Sequence, residues 1–504
     1  MERTGRVKLY TDVPYITLDN VVDVLKTAYS EYTPSVARME YLMGYEAGIQ
    51  PIIRTKTYRP DINISCVDNL ANEVVDFKTG FVWGNPITFI QSGKEEDSDI
   101  DTLRAVAELN RCYESEGIKR KTQHLARNVE ITGLGYTYVD INTDMFDEGD
   151  SYFKIESLDP GSAFVVYSGY YTDKRPMLGV IMRTNSKNER HFTCFSSDMR
   201  FEVNNAWEHT ERSGELNPLG VIPLIEWFRD YDRQGCFERQ ISEMDNLNLL
   251  ISDFTNDVDQ NTQAIWHGND IAFPVEIVKD EDGVERERIK KPGTNEWVLT
   301  ETTADGKTPF VKPLAVEYDY QGMLNNIVTR RALILQKCNV PQRNDNSGGS
   351  TGVAMSDATG WSAAETSASK QQNIMDSCKM DELKVVLRAI KKNPKVPMDS
   401  PLLKLKYTDV KPNIKRQKTY ELTVKVNAMM ALISKGFALE DVVSVAPLFE
   451  DPNEVVNRSG EGVRKYQESQ VFKTEKTVTE EKRPFADLSD QEGNSPNIGG
   501  MKTE

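Results

Sequence analysis

The sequence predicts an α+β fold built from several regions, and three features predict it. Residues 241–266, 318–340 and 354–390 carry apolar side chains at roughly helical spacing. Between residues 133 and 227 the pattern changes to short β runs bounded by turn residues. Residues 341–356, PQRNDNSGGSTGVAMS, form a polar, glycine-rich break between two of the helical stretches. Pro341 stops the first of them, and 346–349 cannot continue it. A chain of 504 residues is long enough for several cores, about two to four structural regions.

Taken in order, residues 17–46 read as helix interrupted near Pro34, with Thr17 or Asp19 offering the cap and Val21, Val22, Val24, Leu25, Ala28 and Tyr29 apolar. Residues 51–61 read as extended. Helical spacing returns over 68–83, with Leu70, Val74, Val75, Phe77 and Phe81 inward. Gly84-Asn85-Pro86 then turns the chain into a strand at 87–91. The acidic string 95–101 reads as a solvated loop whose Asp99 or Asp101 caps a helix over 102–132. The β runs that follow are 135–141, 152–157, 163–167, 178–184, 191–196, 201–203 and 221–228, and their turn-rich separators suggest antiparallel meanders in a mixed α/β region. Gly133-Leu134-Gly135 lacks the third glycine of a dinucleotide loop. Trp207 and Trp227 read as packing residues.

In the helix over 241–266 the apolar residues are Met244, Leu247, Leu249, Leu250, Ile251 and Phe254. Its carboxylates Asp245, Asp253, Asp257 and Asp259 resemble an acid cluster, yet no histidine or calcium loop accompanies them, so a solvated helix face is the simpler reading. Residues 268–316 are β-rich. There 270–278 and 285–290 flank Asp280-Glu281-Asp282-Gly283, a strong hairpin signal, with further strands at 297–300 and 310–315. After the helices over 318–340 and 354–390, residues 394–401 form a break and 402–407 read as a strand. Residues 411–418 are basic (Lys411, Lys415, Arg416, Lys418) without interleaved aromatics, which favours contact with an acidic neighbouring subunit, or plain solvation, over a nucleic-acid groove. Two short helices, 419–435 and 439–449, lie around Gly436. From 466 onward the few apolar residues predict a disordered tail.

The chain carries 61 Lys and Arg against 78 Asp and Glu, a net charge of −17. That argues against a tight, charge-driven nucleic-acid binder. It does not argue against a conduit, because a wall past which a polyanion slides should not hold it. The six cysteines (Cys66, Cys112, Cys194, Cys236, Cys338, Cys378) show no C-x-x-C pair and read as reduced packing residues, and no cofactor or metal is expected. No leading apolar segment and no long apolar run appears, so synthesis in the cytoplasm is expected, without a membrane partner.

The central break has three readings. Residues 348–352 fit G-x-S-x-G with Ser350 as nucleophile, but that elbow follows a strand, and its acid and histidine come later in the chain. Here a helix precedes it and His124, His191, His209 and His267 all lie before it, so catalysis is disfavoured. No Gly-Lys-Ser/Thr follows, so it is not a Walker loop. A surface linker is the plain reading, although long loops inside compact domains are usually functional or disordered.

The string from Cys338 to Ala354, Cys-Asn-Val-Pro and then Gly-Gly-Ser-Thr-Gly-Val-Ala, resembles the helix, tunnel loop and helix start of the portal proteins of tailed bacteriophages, nearest to the branch of long-tailed Bacillus siphophages. Gly84-Asn85-Pro86-Ile87, Asp159-Pro160 and Asn217-Pro218-Leu219-Gly220-Val221-Ile222-Pro223 agree in order and spacing, over about residues 22–448. The resemblance implies a multi-region portal fold: a wing at 1–237, stem helices at 238–266 and 318–340, a clip at 267–317, a tunnel loop at 341–353, a long wing helix and strand at 354–413, a crown at 414–465 and the tail at 466–504.

In function it implies a ring, typically a homododecamer, at one capsid vertex of the virion, closed by heterologous interfaces. Double-stranded DNA would pass through it without sequence reading during packaging and ejection. Partners would be the terminase large subunit, the major capsid and scaffold proteins and a head-completion adaptor of the head-tail connector. The tunnel loop would bring Arg343, its only cation, to DNA phosphates, together with Asn344, Asp345, Asn346, Ser347, Ser350 and Thr351. Asp245, Asp253, Asp257 and Asp259 would face the channel, and Asp280, Glu281, Asp282 and Arg286 would serve docking at the clip. The acidic stretch 238–259 and the basic Lys384, Arg388, Lys391 and Lys392 suit opposite sides of a subunit interface. The rival readings are a structural or adaptor protein without DNA passage and a serine hydrolase at Ser350.

Overall fold

The computed structural model describes residues 5–52, 63–92, 100–145, 147, 149–187, 189–262, 266–269, 275–279, 283, 285–289, 309–313, 319–342, 360–414, 422–437, 442, 459–460 and 462. Two compact units divide the chain, Met1–Gln417 and Lys418–Glu504.

In the first unit, β1 (Leu9–Thr11) precedes α1 (Val21–Glu46), which runs unbroken through Pro34, contrary to the expected interruption. A proline inside a helix costs about 3 kcal/mol, and tertiary packing offsets it here. Tyr32, two residues before, is buried and donates to the carbonyls of Pro160 and Ala163, while Leu42 and Tyr45 beyond the proline are fully buried in a second cluster. Neither Thr17 nor Asp19 caps this helix. Asn20 holds the cap position, and its side chain turns back to accept from the Thr17 amide at 2.8 Å.

Next come α2 (Leu70–Trp83), capped by the Asn69 carboxamide, and β2 (Thr88–Gln91). The helix expected over 102–132 is two helices, α3 (Ile100–Ser115) and α4 (Ile118–Thr132). Apolar spacing continues across the joint, but Gly117 adopts φ 63°, where glycine pays no steric penalty, and ends the first helix. Asp101 lies in the first turn of α3 rather than at its cap, and Asp99 lies outside the described residues.

The expected β runs all form: β3 (Leu134–Ile141), β4 (Phe153–Leu158), β5 (Ala163–Ser168), β6 (Pro176–Thr184), β7 (Arg190–Phe195), β8 (Met199–Val203) and β10 (Leu224–Phe228), with a short β9 (Glu215–Leu216) that the pattern did not show. They make a six-stranded sheet ordered β1-β5-β6-β7-β8-β9 and a three-stranded sheet ordered β10-β3-β4. Every pair is antiparallel except β1 with β5. Helix α1 covers the larger sheet through Val21, Leu25, Ala28 and Tyr32 against Phe164, Val180 and Phe192. Trp207 stacks on Phe192, and Trp227 is buried in the core beneath the smaller sheet, so both tryptophans pack as expected.

Beyond β10 the chain forms α5 (Ile241–Thr262), β11 (Trp266–Asn269), β12 (Val275–Lys279), β13 (Glu285–Ile289), β14 (Phe310–Pro313), α6 (Tyr320–Lys337), α7 (Trp361–Lys392) and β15 (Val410–Asn413). Residues 402–407 are not a strand. Two 3-10 turns, Pro401–Leu403 and Tyr407–Asp409, bury Leu402 and Leu405, and the strand is β15, which pairs with β2. Helix α7 lies across the smaller sheet, burying Leu383, Val386 and Ile390 in the largest core.

That core contains charge. Glu130 on α4 is fully buried and accepts from Trp83 Nε1 at 3.1 Å, from Arg229 Nε at 3.2 Å and from Gln371 Nε2. Deeper along α7, Glu382 pairs with Lys379 and accepts from Tyr113 and Thr137. Asp376, on the same helix, buries Oδ1 without a partner among the described residues, and burial raises its carboxyl above the ordinary 3.8. A folded-state value above the unfolded one stabilises the fold only at acid pH, and that stability is lost as pH rises through the folded value. Asp376→Asn is therefore expected to match the parent in thermal unfolding at acid pH and to surpass it at neutral pH.

The second unit contains α8 (Leu422–Ser434), which ends at Gly436 with φ 88°, and Met429 packs with Val442, Leu432 and Ile433. The other short helix, expected over 439–449, and the tail from 466 lie outside the described residues apart from Val442.

Candidate channel and docking residues

Helices α5 and α6 pack together through Met244, Leu247 and Ile251 on one side and Ile327, Ile334 and Leu335 on the other. Glu243 adds ion pairs to Arg330 and Lys337 across the joint. Each residue turns an α-helix by about 100°, and this separates the four candidate carboxylates of α5. Asp253 falls on the line of the exposed Ser242, Asn246 and Gln260, with Asp257 one turn further on. Asp245 lies about 80° around the helix from Asp253, toward α1, and accepts from the Tyr45 hydroxyl at 2.8 Å. Burial, and then that carboxylate, pushes the Tyr45 hydroxyl well up. Asp259 lies fourteen residues beyond Asp245, on the same stripe.

Between those two runs a feature that sequence reasoning missed. Asn248, Ser252 and Asn256 are each fully buried, and each binds backbone of the extended segment 64–68. Asn256 accepts from Ile64 N at 2.8 Å and donates to Ile64 O at 2.7 Å. Ser252 accepts from Cys66 N at 2.9 Å, and Asn248 from Asp68 N at 2.8 Å. Three small polar residues four apart were the available signal, because such a row on a helix face matches the alternating amides of an extended chain. Asn248 also donates to Gln50, which reaches Asn69 at the cap of α2.

The acidic stretch expected to start at 238 is shorter than its charges suggested. Glu238 is buried and holds Arg6 at 2.6 Å and Arg38 at 3.0 Å, so it serves the interior and not a neighbour. Of the basic set, Lys384 pairs with Asp381, Arg388 donates to Gly220 O, and Lys391 and Lys392 are exposed.

At the far end of the helix pair, β11 and β14 form one antiparallel ladder and β12 and β13 a second. The hairpin is therefore present, and Arg286 stands on it opposite Val278. Every described side chain of this ribbon is exposed, Ile277 to 68%. Asp280, Glu281 and Asp282 lie outside the described residues, as do Arg343, Asn344, Asp345, Asn346, Ser347, Ser350 and Thr351. Among the described residues no group of three acidic, histidine or cysteine side chains could hold a metal, and no helix is long and apolar enough to cross a membrane. All six cysteines are free thiols. Burial raises Cys338 to about 11 and Cys378 to about 12.

Residues 26–476 match the family described as Phage portal protein, SPP1 Gp6-like. The chain belongs to that family. A portal protein is a structural connector of the phage particle, and the match runs from within α1 to beyond α8. No curated protein matches it. Among solved structures it is similar to the neck of an empty GTA particle computed with C6 symmetry, at 11% identity and a TM-score of 0.41, covering 79% of this chain and 95% of that one.

Proposed function

We propose that copies of this portal protein close into a ring of about twelve subunits around a DNA channel at one capsid vertex, each subunit offering one face to a different face of the next. The observation that carries this reading is the side-by-side pair α5 and α6. It leaves one polar, acidic edge of α5 and ends in an exposed two-stranded ribbon. Asp253 and Asp257 would line the bore. Carboxylates there repel phosphates, so DNA slides without each step having to break cation–phosphate contacts. The ribbon would dock the terminase large subunit and later the head-completion adaptor, through Arg286 and the adjoining Asp280, Glu281 and Asp282. Isolated two-stranded hairpins are marginal in water, which suits a ribbon that a partner covers. Arg343, with Asn344, Asp345, Asn346, Ser347, Ser350 and Thr351, would touch the DNA backbone, while scaffold and major capsid proteins would meet the outer region. No step of this function is chemical, so Ser350 needs no catalytic role.

Electron microscopy of the purified protein, with native mass determination on the same sample, tests the reading. Closed rings with a hole wide enough for duplex DNA are expected. A protein that stays monomeric at high concentration, both alone and with scaffold protein, would sink it.

A further inference from the structure

The ends of the central segment lie against one another. A Cβ built on Gly360 would stand 3.9 Å from Pro341 Cα, so the chain that leaves α6 at Pro341 returns to the same place before α7. Both ends rest on α2. At the outgoing end Lys78, buried to 2% exposure, donates from Nζ to the Asn339 carbonyl at 3.2 Å. Asn339 itself has φ 55°, and Val340 N returns to Leu335 O, so the ammonium holds the carbonyl of the turn that ends α6. Gln342 adds a bond to Ala332 O at 3.2 Å. At the returning end Gly360 has φ 86°, and the Trp361 ring stands edge-on to Phe77 at 6.0 Å and to Phe81 at 5.7 Å. Phe77, Lys78 and Phe81 occupy one face of a single helix.

A buried lysine among Val74, Val75 and Phe81 calls for a reason, since burying an ammonium is costly unless it is paired. Its ammonium bonds the Asn339 carbonyl, and Glu130 and Arg229 contribute opposing fields. We propose that Lys78 and Trp361 are positioning residues: α2 clamps both ends of the segment between α6 and α7, and thereby sets where its Arg343 is presented to DNA. This rests on the reading that Arg343 contacts the DNA backbone, and it adds the device that holds that contact in place. The helix that carries the clamp is tied through Asn69 and Gln50 to Asn248 of α5. Displacement of the α5 wall and of the segment's ends would thus be linked through α2.

The test uses the full-length ring with Lys78→Met, Lys78→Arg, Trp361→Leu and Arg343→Ala. Arg343 is the only tryptic site between Lys337 and Lys370, so cleavage after it reports the segment alone. Lys78→Met is expected to keep ring assembly and thermal midpoint, because an apolar isostere replaces a buried charge. Cleavage after Arg343 should rise about tenfold, the change set by losing one hydrogen bond from a charged donor, with other sites unchanged, and DNA packaged per particle should fall. Lys78→Arg should restore both readouts, and Trp361→Leu should reproduce the first from the other end. Unchanged cleavage at Arg343 in both Lys78→Met and Trp361→Leu overturns the clamp, as does cleavage that rises equally at every site. If Arg343→Ala packages DNA normally, the DNA-contact reading fails, while the cleavage result still decides the clamp.

Discussion

Replacing Glu130 with alanine is expected to cost about 2–4 kcal/mol of folding stability, because it removes the buried partner of a largely buried guanidinium and the acceptor of two further buried donors. Glu130 is 0% exposed and is the meeting point of α2, α4, α7 and the segment after β10 through Trp83, Gln371 and Arg229. Its removal leaves Arg229 paired with Asp230 alone among the described residues and leaves the Trp83 indole N–H without its acceptor. Urea unfolding followed by tryptophan fluorescence reads the loss. Glu130→Gln should lie between parent and alanine, since it retains an acceptor for Trp83 but not the charge. The double variant Glu130→Ala/Arg229→Met should recover much of the loss, because neither charge then remains. A loss below about 1 kcal/mol, the value of an exposed ion pair, would show that water reaches this site and that the network is not what joins the helices.

Asn256→Ala is expected to release the Ile64 end of segment 64–68 from α5 at a cost of about 1–3 kcal/mol, since two half-exposed backbone groups of Ile64 lose their partners together and each such bond is worth about 0.5–1.5 kcal/mol. The loss should be local. Hydrogen exchange at the Ile64 amide should quicken by about tenfold or more, while the Cys66 and Asp68 amides, still held by Ser252 and Asn248, should change less. Equal acceleration at all three amides would mean that the ladder opens as one unit. No acceleration at Ile64 would mean that the carboxamide does not hold the strand.

Much of the α+β fold was legible, and the reasons are local. The β runs from Leu134 to Phe228 alternate and are bounded by turn residues, and the three long helices keep their apolar spacing for many turns. What the pattern hid was decided by distant partners. Pro34 reads as a break because the proline rule is local, whereas Tyr32 and Leu42 are anchored in different cores. Residues 402–407 have strand composition, but Leu402 and Leu405 reach the core from tight turns instead. The candidate site was legible as chemistry rather than as geometry. Four aspartates in one helix look alike in a sequence, and only the rotation of α5 sets Asp253 and Asp257 apart from Asp245. Glu238 reads as one more surface acid until Arg6 is found beside it. Lys78 and the Asn248–Ser252–Asn256 row are polar residues on inward faces, and their partners, Asn339 and residues 64–68, lie far away in the chain.

The parallel pairing of β1 has a consequence for the order of events during synthesis. Leu9–Thr11 finds its neighbour only at Val166–Ser168, and Arg6 meets Glu238 later still. At translation rates of about 5–20 residues per second, the first segment made waits roughly 10–50 s on the ribosome for its last partner. Although β1 is made before every other strand of its sheet, it is thus among the last of them to be paired and anchored.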